Sequence, residues 1–404
     1  MVFTRFAVLR YLTIDIPGTG GIIKETPEDF LVEEVPLYLP CGEGEHTYVT
    51  IEKRGLTTLE AVRRISRELG VPDREIGYAG MKDAVGVTRQ TVSIPRVSPD
   101  VCSALNLPGI AVLASVRHRN KLRLGHLAGN RFRVRVREVG DEASERAEAV
   151  LAVLTARGVP NYFGAQRYGL HGNSHLIGRA MVRGEWRIAF DHVIGDPVAV
   201  RDERWRGAIE AYRRGDLEES IRLFPGHCRT ERDILQRLLK RPDAQEKAFY
   251  AIHPRLKKLY LSAYQSSLFD RLLAERLDAL DRVMAGDLAM KHENGACFLV
   301  TDAAAEQPRA AAFEISPTGP MFGFRMLFPE GEPRAMEEAL LAAEELELSS
   351  FNLPGGLAMD GERRPLRVPL REPSAMMDND ALILSFALPR GSYATSVLRE
   401  VVKP

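Results

Sequence analysis

The order of strand-like and helical segments is the feature that most constrains how this chain can fold. Apolar and polar residues alternate with period two at 47–52 and again at 131–138. Helical spacing dominates after Pro160, and a strand-like run returns at 381–388. Period-two alternation predicts strands that bury one face. We therefore expect a mixed α/β sheet built from both ends of the chain and interrupted by a mainly helical block.

Two domains are expected, because 404 residues exceed the size of one ordinary domain. Glycine and proline end helices, so Gly158 and Pro160 mark the first boundary. The prediction is a first domain of residues 1–159 plus 366–404 and an inserted domain of residues 160–365.

Individual helices are predicted where end signals flank the pattern. Thr57 and Glu60 have the spacing of a capping box, and Gly70 ends that helix. A second helix begins near Asp141 and ends at Gly158. In the inserted domain, helices are predicted at 206–215, 231–249, 256–280 and 334–347, and a β-rich segment at 287–328 has predicted turns at Gly295, Gly319 and Gly323.

Composition excludes several classes of protein. Hydrophobic residues make up 45% and charged residues 27% of the chain, which is typical of a globular rather than a disordered protein. The four cysteines form no C-x-x-C pair, which argues against zinc, iron–sulfur and disulfide frameworks, so we expect no metal site. No secretory signal and no run of 18 apolar residues is present. We therefore predict a cytoplasmic protein with no membrane partner.

Positive charge is concentrated locally, although 55 Lys and Arg balance 55 Asp and Glu over the whole chain. The basic stretch, residues 117–137, contains eight Lys or Arg and no Asp or Glu. Such clustering is typical of nucleic-acid binding. Its alternating arginines lie on one side of a regular strand, and form either a row that follows phosphates or an ordinary solvated sheet face: Arg131, Arg133, Arg135 and Arg137.

Residues 77–90 contain the best candidate for an active site. Lys82 and Asp83 are adjacent there between glycines, which indicates an exposed loop because ionised groups are rarely buried unpaired. The Lys82 ammonium favours an ionised Asp83, as a nucleophile or base requires. Donors suited to phosphates or base edges follow: Thr88, Arg89 and Gln90. A lone doublet is more often a surface turn, but the signatures of dinucleotide, P-loop, zincin, hydrolase and zinc-deaminase sites are absent, which leaves the chemistry to side chains.

Five segments, in order along the chain, resemble the motifs of the TruD family of tRNA pseudouridine synthases. They are 24–33 (KETPEDFLVE), 77–90 (GYAGMKDAVGVTRQ), 129–132 (GNRF), 160–169 (PNYFGAQRYG) and 388–400 (LPRGSYATSVLRE). Five matches in order are far more specific than one. The resemblance implies a pseudouridine synthase catalytic domain, with a mixed α/β sheet, interrupted by a mainly helical TruD-specific insertion.

The resemblance also implies an activity. The substrate would be a tRNA, in which one uridine, in this family typically position 13, is isomerised from an N1-glycoside to a C5-glycoside. No cofactor is implied, tRNA is the expected partner, and we expect a monomer. Asp83 matches the catalytic aspartate of the family. Its carboxylate would attack the sugar at C1′ or remove the C2′ proton, and the sequence leaves both routes open.

Other matched residues are implied to bind substrate. Tyr393 lies where the family has an aromatic ring that stacks on the target base, although many members have Phe there. Lys82 either contacts a phosphate or is a solvated neighbour of Asp83. Phe132 either faces the core or contacts the flipped uridine together with Asn130. The remaining implied substrate-binding residues are Lys24, Arg131, Gln166 and Arg167; the segment that holds the last two either touches RNA or is a hinge between the domains.

Two other functional classes stay open. A catalytically silent RNA-binding or tRNA-folding protein would keep the basic stretch without an ionised Asp83, and the intact Lys82-Asp83 doublet disfavours it. An Asp-dependent nucleosidase or glycosidase would normally need a second carboxylate, which the loop lacks. Activity on free nucleoside would identify the latter class.

Overall fold

The chain forms two compact units. The computed structural model describes residues 10–82, 84–169 and 171–403. The first unit contains residues 11–159 and 368–403, and the second contains residues 160–367 together with Arg10.

Strands occur in both units. In chain order they are β1 (Ile22–Ile23), β2 (Phe30–Pro36), β3 (His46–Arg54), β4 (Gly77–Tyr78), β5 (Val87–Pro95), β6 (Ile110–His118), β7 (Leu127–Arg137), β8 (Val159–Pro160), β9 (Leu288–Lys291), β10 (Cys297–Leu299), β11 (Ile315–Met321), β12 (Glu362–Pro365), β13 (Arg367–Val368), β14 (Arg371–Asp378) and β15 (Ala381–Pro389).

The α-helices are concentrated in the second unit. In chain order they are α1 (Thr58–Leu69), α2 (Pro99–Ser103), α3 (Ala143–Arg157), α4 (Ser174–Val182), α5 (Trp186–Ile194), α6 (Glu203–Arg213), α7 (Leu217–Leu223), α8 (Arg229–Lys240), α9 (Gln245–Tyr250), α10 (Pro254–Glu275), α11 (Ala303–Ala311), α12 (Gly331–Ala343) and α13 (Ala394–Val402). Among the described residues, none of these helices combines the length and the apolar character that crossing a membrane would require.

A mixed sheet is the framework of the first unit. Within the described part of that unit it has nine strands, in the order β14-β15-β7-β2-β5-β3-β6, with β1 beside β7 and β4 beside β5. Strands β2 and β5 are parallel, whereas β2 and β15 are each antiparallel to β7. The predicted mixed α/β fold is confirmed, and the late strand β15 lies between β14 and β7 in a sheet whose other strands mostly precede residue 138.

Strand β7 shows why the sequence alternates. Phe132, Val134 and Val136 are buried, while Arg131 and Arg133 between them are exposed. The buried side chains belong to an apolar cluster that also contains side chains from β15, α3 and α13. The helices therefore cover one face of β7, and the arginines occupy the other.

Helix α1 forms as its end signals predict. The Thr57 hydroxyl accepts a hydrogen bond from the backbone N–H of Glu60, and Gly70 ends the helix at a φ of 66°. Val62 and Ile65 pack into a second apolar cluster, with residues of β3 and β5. The helix is thus fixed on the sheet by the stripe of apolar residues that the sequence displays.

The second unit is mainly helical and also contains a small sheet in the order β10-β9-β11-β12. The single helix expected at 231–249 is wrong: α8 and α9 are separate, because Pro242 cannot continue a helix. The β-rich segment contains an additional helix, α11. The turn expected at Gly319 is also wrong, because Gly319 lies inside β11, where an added Cβ would be only 2.9 Å from Leu366 Cδ2.

Candidate active site

The segment between β4 and β5 carries the Lys82-Asp83 doublet and is anchored by the start of α1. The backbone N–H of Lys82 donates to Thr58 Oγ1 at 2.8 Å, and the N–H of Thr58 donates to the Lys82 carbonyl at 3.3 Å. Thr58 Oγ1 in turn donates to Gln90 Oε1 on β5 at 2.9 Å. The first residue of α1 therefore holds Lys82 against the sheet. Asp83 itself lies outside the described residues.

Lys82 forms a buried ion pair. Its Nζ lies 2.9 Å from Glu34 Oε1, and the two side chains are only 9% and 5% exposed. The other carboxylate oxygen of Glu34 accepts a hydrogen bond from the backbone N–H of Thr91 at 3.1 Å. A buried ammonium requires such a counter-charge. Lys82 is consequently not the exposed, solvated neighbour of Asp83 that the glycine-rich sequence suggested.

Glu34 is the residue of this site that sequence reasoning missed. It follows Phe30 and Val32 at intervals of two on β2, so it points to the same covered face of the sheet as those apolar side chains. The alternation of β2 places Glu34 on the buried face, and a carboxylate at a buried position indicates a buried partner of opposite charge. In register it lies opposite Asn130 of β7.

Buried polar atoms without partners surround this ion pair. Asn130 Oδ1, Thr88 Oγ1 and Gln90 Nε2 are buried and have no hydrogen-bond partner within the described chain. They share the face of Glu34, since Thr88 pairs in register with Val32 and Asn130 pairs with Glu34. Buried polar groups almost always have partners, so a set of orphans is unusual. The patch can therefore form hydrogen bonds with a polar ligand or with water.

Phe132 and Lys24 lie around Phe30 on the same side of the sheet. The Phe132 ring is 5.4 Å from that of Phe386 and 6.2 Å from that of Phe30, and the residue is 6% exposed. This packing favours the core alternative for most of the Phe132 ring. Lys24 Nζ lies 4.0 Å from the centre of the Phe30 ring, and Lys24 has a φ of 61°, which is uncommon for a residue with a side chain.

Tyr393 lies just beyond the end of β15. Leu388 of β15 pairs with Asn130, and the chain then turns through Arg390, whose guanidinium donates to the Gly125 carbonyl at 2.7 Å. Tyr393 is half-buried and is the N-cap residue that precedes α13. The ends of β2, β7 and β15 thus bring Glu34, Asn130 and the segment leading to Tyr393 to one end of the sheet.

The arginines of β7 are mostly neutralised. Arg131 donates to Glu372 at 3.0 Å, Arg135 pairs with Asp378, and Arg137 donates to Asp29 at 2.8 Å. Burial raises the pKa of Asp29, but hydrogen bonds from Arg137 and from the Thr26 backbone outweigh it, so that the pKa is lowered overall. These pairs favour an ordinary sheet face over a row that follows phosphates.

Gln166 and Arg167 belong to the second unit. Gln166 is exposed, whereas Arg167 Nε donates to Ser266 Oγ on α10 at 2.9 Å and its guanidinium also contacts Ser262. The backbone N–H of Phe163 donates to Asp270, also on α10, at 3.0 Å. The segment is therefore anchored on a helix of its own unit, and among its matched polar side chains Gln166 is the accessible one.

Comparisons with known proteins agree on one family. The family model of tRNA pseudouridine synthase D (TruD) matches residues 8–401. The chain is 67% identical over 394 residues to a tRNA pseudouridine synthase D of Geobacter sulfurreducens, covering 98% of this chain and 97% of that protein. It is 68% identical over 394 residues to the tRNA pseudouridine synthase D of Geobacter metallireducens, covering 98% of each. The crystal structure of a Methanosarcina mazei protein that carries the name TruD superposes with a TM-score of 0.86 at 29% identity, covering 98% of this chain and 96% of that one. The chain therefore belongs to the tRNA pseudouridine synthase D family.

Proposed function

We propose that this chain isomerises uridine 13 of a tRNA to pseudouridine and that Asp83 is the catalytic nucleophile or base. As a member of its family, the chain is an RNA pseudouridine synthase. The reaction breaks the bond between N1 and C1′ of the nucleoside, forms a bond between C5 and C1′, releases the C5 proton and adds a proton to N1. No oxidant, reductant or transferred group enters this balance, so side chains suffice and no cofactor is proposed.

Asp83 has one of two roles, and each needs its carboxylate ionised. In the first, a carboxylate oxygen attacks C1′ and the base leaves through N1, to return through C5. In the second, the carboxylate removes the C2′ proton and the sugar becomes a glycal, which is then re-protonated at C2′ when C5 adds to C1′.

One observation carries the proposal: the residue that precedes Asp83 is held twice. The Lys82 side chain is fixed by Glu34, and the Lys82 backbone is fixed by Thr58. Catalysis depends on reacting groups held in position before the substrate arrives. We propose that Lys82 positions the neighbouring aspartate in this way and does not reach out to a phosphate.

The polar patch beside this loop fits the edge of a pyrimidine base. A uridine that leaves its stack exposes carbonyl acceptors and an N–H donor, and Gln90, Thr88 and Asn130 offer donors and acceptors that lack partners within the described chain. We propose that Tyr393 stacks on the base and that the mostly buried Phe132 borders it. One stacked ring is worth roughly 1 to 3 kcal/mol per base, comparable with the cost of extruding the base.

The remaining assignments are also proposals. The first unit would be the catalytic domain and the second the inserted domain, with boundaries near those of the compact units. Lys24 would contact a phosphate of the target nucleotide, while Arg131, Gln166 and Arg167 would contribute to RNA binding. We propose that the enzyme acts in the cytoplasm as a monomer, with tRNA as its partner.

The test is release of tritium from a tRNA transcript whose uridines are tritiated at C5. Wild type should release tritium in a stoichiometry of one per tRNA, and Asp83→Asn should abolish release while leaving tRNA affinity within about threefold, because the amide cannot act as a nucleophile or base. Release by Asp83→Asn at the wild-type rate would overturn the role of Asp83.

Two other results would point to the rival classes. Binding of tRNA without release by wild type on any transcript would indicate a silent RNA-binding protein. Turnover of free uridine by wild type would indicate a nucleosidase, because a pseudouridine synthase that acts on folded tRNA should not cleave the free nucleoside.

A further inference from the structure

Part of the positive charge of the basic stretch is concentrated at one cavity of the first unit. Four of the eight cations in this stretch are paired with carboxylates: Arg119 with Glu43, Arg131 with Glu372, Arg135 with Asp378 and Arg137 with Asp29. Lys121 and Arg123 have no carboxylate partner within the described chain, and both line a cavity of about 560 Å³.

Two cations from elsewhere in the sequence join them. Arg63 of α1 and Arg74, which follows that helix, also line the cavity and are exposed without a carboxylate partner among the described residues. One carboxylate, that of Asp73, lines the same cavity. Three cations in excess around one cavity give it a net positive charge, which attracts an anion.

The cavity is built rather than an accident of mobile side chains. Lys121 Nζ donates to the Arg74 carbonyl at 2.7 Å, which ties two of its walls together. The backbone N–H of Leu122 donates to Ser93 Oγ of β5 at 2.9 Å. Gly77 allows this close approach, because an added Cβ would lie 2.2 Å from the Leu122 carbonyl oxygen.

The cavity also has an apolar wall. Leu59 and Leu124 line it and are 44% and 66% exposed, although leucine is usually buried. Cations beside exposed apolar surface match a nucleotide, which has an anionic phosphate and a flat base. A volume of about 560 Å³ lies within the usual ~300–1,000 Å³ of a small-ligand pocket.

The cavity lies close to the proposed reaction centre along the chain. Tyr78 lines it and is four residues before Lys82, a separation of at most roughly 14 Å even in a fully extended chain. A single RNA strand could therefore place one nucleotide near Asp83 and another in this cavity within a few nucleotides.

We propose that this cavity is a second nucleotide subsite, which holds one non-target nucleotide of the substrate RNA with its phosphate against Arg63, Arg74 and Arg123 and its base against Leu59 and Leu124. The inference rests on the proposed function only for the identity of the RNA. It adds a site at which the enzyme binds its substrate away from the reacting base.

The experiment compares three variants by binding to an unmodified tRNA transcript over a series of salt concentrations. Arg63→Gln/Arg123→Gln should weaken binding about three- to tenfold at low salt and reduce the slope of log affinity against log salt by about 0.7 to 0.9 for each phosphate that is no longer neutralised. Leu124→Ala should weaken binding several-fold and leave the slope unchanged, because it removes apolar surface and no charge. Arg119→Gln is the matched control, since Arg119 is an exposed cation of the same basic stretch already paired with Glu43.

The outcomes separate the subsite from the proposed function. If the double variant keeps the wild-type affinity and slope, the subsite is overturned, whatever other ligand the cavity accepts. An equal loss of affinity in Arg119→Gln would also overturn it, because it would show a general effect of charge. Tritium release by wild type is measured separately. If wild type releases no tritium while the double variant still shows the weaker affinity and the smaller slope, the proposed reaction fails and the RNA subsite stands.

Discussion

Glu34→Gln should destabilise the first unit, because it removes the carboxylate that pairs with the buried Lys82 ammonium. The amide oxygen of Gln can still accept the hydrogen bond from Thr91, while its NH2 group replaces the charged oxygen that faces Lys82. At 2.9 Å and an effective dielectric constant of about 20, the attraction between Lys82 and Glu34 is about 6 kcal/mol. Part of this offsets desolvation, and loss of one partner of a buried pair typically costs about 3 to 5 kcal/mol of unfolding free energy.

The assay is urea unfolding followed by far-ultraviolet circular dichroism, with hydrogen exchange of peptides from β2 and α1 to show that the loss of stability occurs in the first unit. The matched control is Glu52→Gln. Glu52 accepts from Arg89 at a similar 2.8 Å, but the side chains of that pair are 32% and 40% exposed, so the expected cost is below about 1 kcal/mol. Burial is then the main difference between the two substitutions.

A rescue variant completes the test. Adding Lys82→Met to Glu34→Gln removes the orphaned charge and should recover most of the lost stability, because a buried ion pair can be replaced by apolar groups at little cost. The reasoning is refuted if Glu34→Gln is as mild as Glu52→Gln, or if Lys82→Met makes the protein less stable still.

Four further substitutions test the fold. Burial lowers the pKa of His175 from 6.5 to about 4. Below pH 6.5 the unfolded state therefore takes up a proton before the folded state does, and the free energy of unfolding falls by at most about 3 kcal/mol as the pH drops towards 4. In His175→Gln, the urea midpoint should lose that part of its pH dependence. Gly178→Ala should cost about 1 to 3 kcal/mol by thermal unfolding, since its Cβ would lie 2.1 Å from the Tyr260 carbonyl oxygen, whereas Gly207→Ala, with 3.5 Å to its nearest neighbour, should be neutral or stabilising. Thr57→Ala should cost about 1 kcal/mol, and no change in the melting temperature would show that its cap contributes nothing.

Local signals in the sequence predicted local structure well. The capped helix α1 and the alternating strand β7 are confirmed because their end signals and periodicity act over a few residues. The chain between α8 and α9 and the strand around Gly319 were mispredicted for different reasons. Pro242 is a strong local signal against the continuous helix predicted at 231–249. The extended conformation at Gly319, in contrast, goes with close packing against Leu366, which no local pattern shows.

The candidate site was predictable in outline but not in its pairings. The motif around Lys82 indicated a site in the segment between β4 and β5, yet the burial of that lysine depends on Glu34, which is distant in sequence and lies on β2. Likewise, the arginine row of β7 looked like a phosphate track because its carboxylate partners, such as Glu372 and Asp378, come from β14, more than 200 residues later. The charges that lie in one stretch of sequence do not show whether residues of another strand neutralise them.

The position of β15 has a consequence for synthesis of the protein. This strand pairs with β7 inside the sheet, but about 240 residues separate Arg137 from Ala381. At roughly 5 to 20 residues per second, a ribosome needs about 10 to 50 s to make that stretch. During this time one edge of β7 lacks its partner strand, and residues 160–367 of the second unit are made before the sheet is complete. The second unit can therefore fold first, and the first unit is complete only after the second unit has been made.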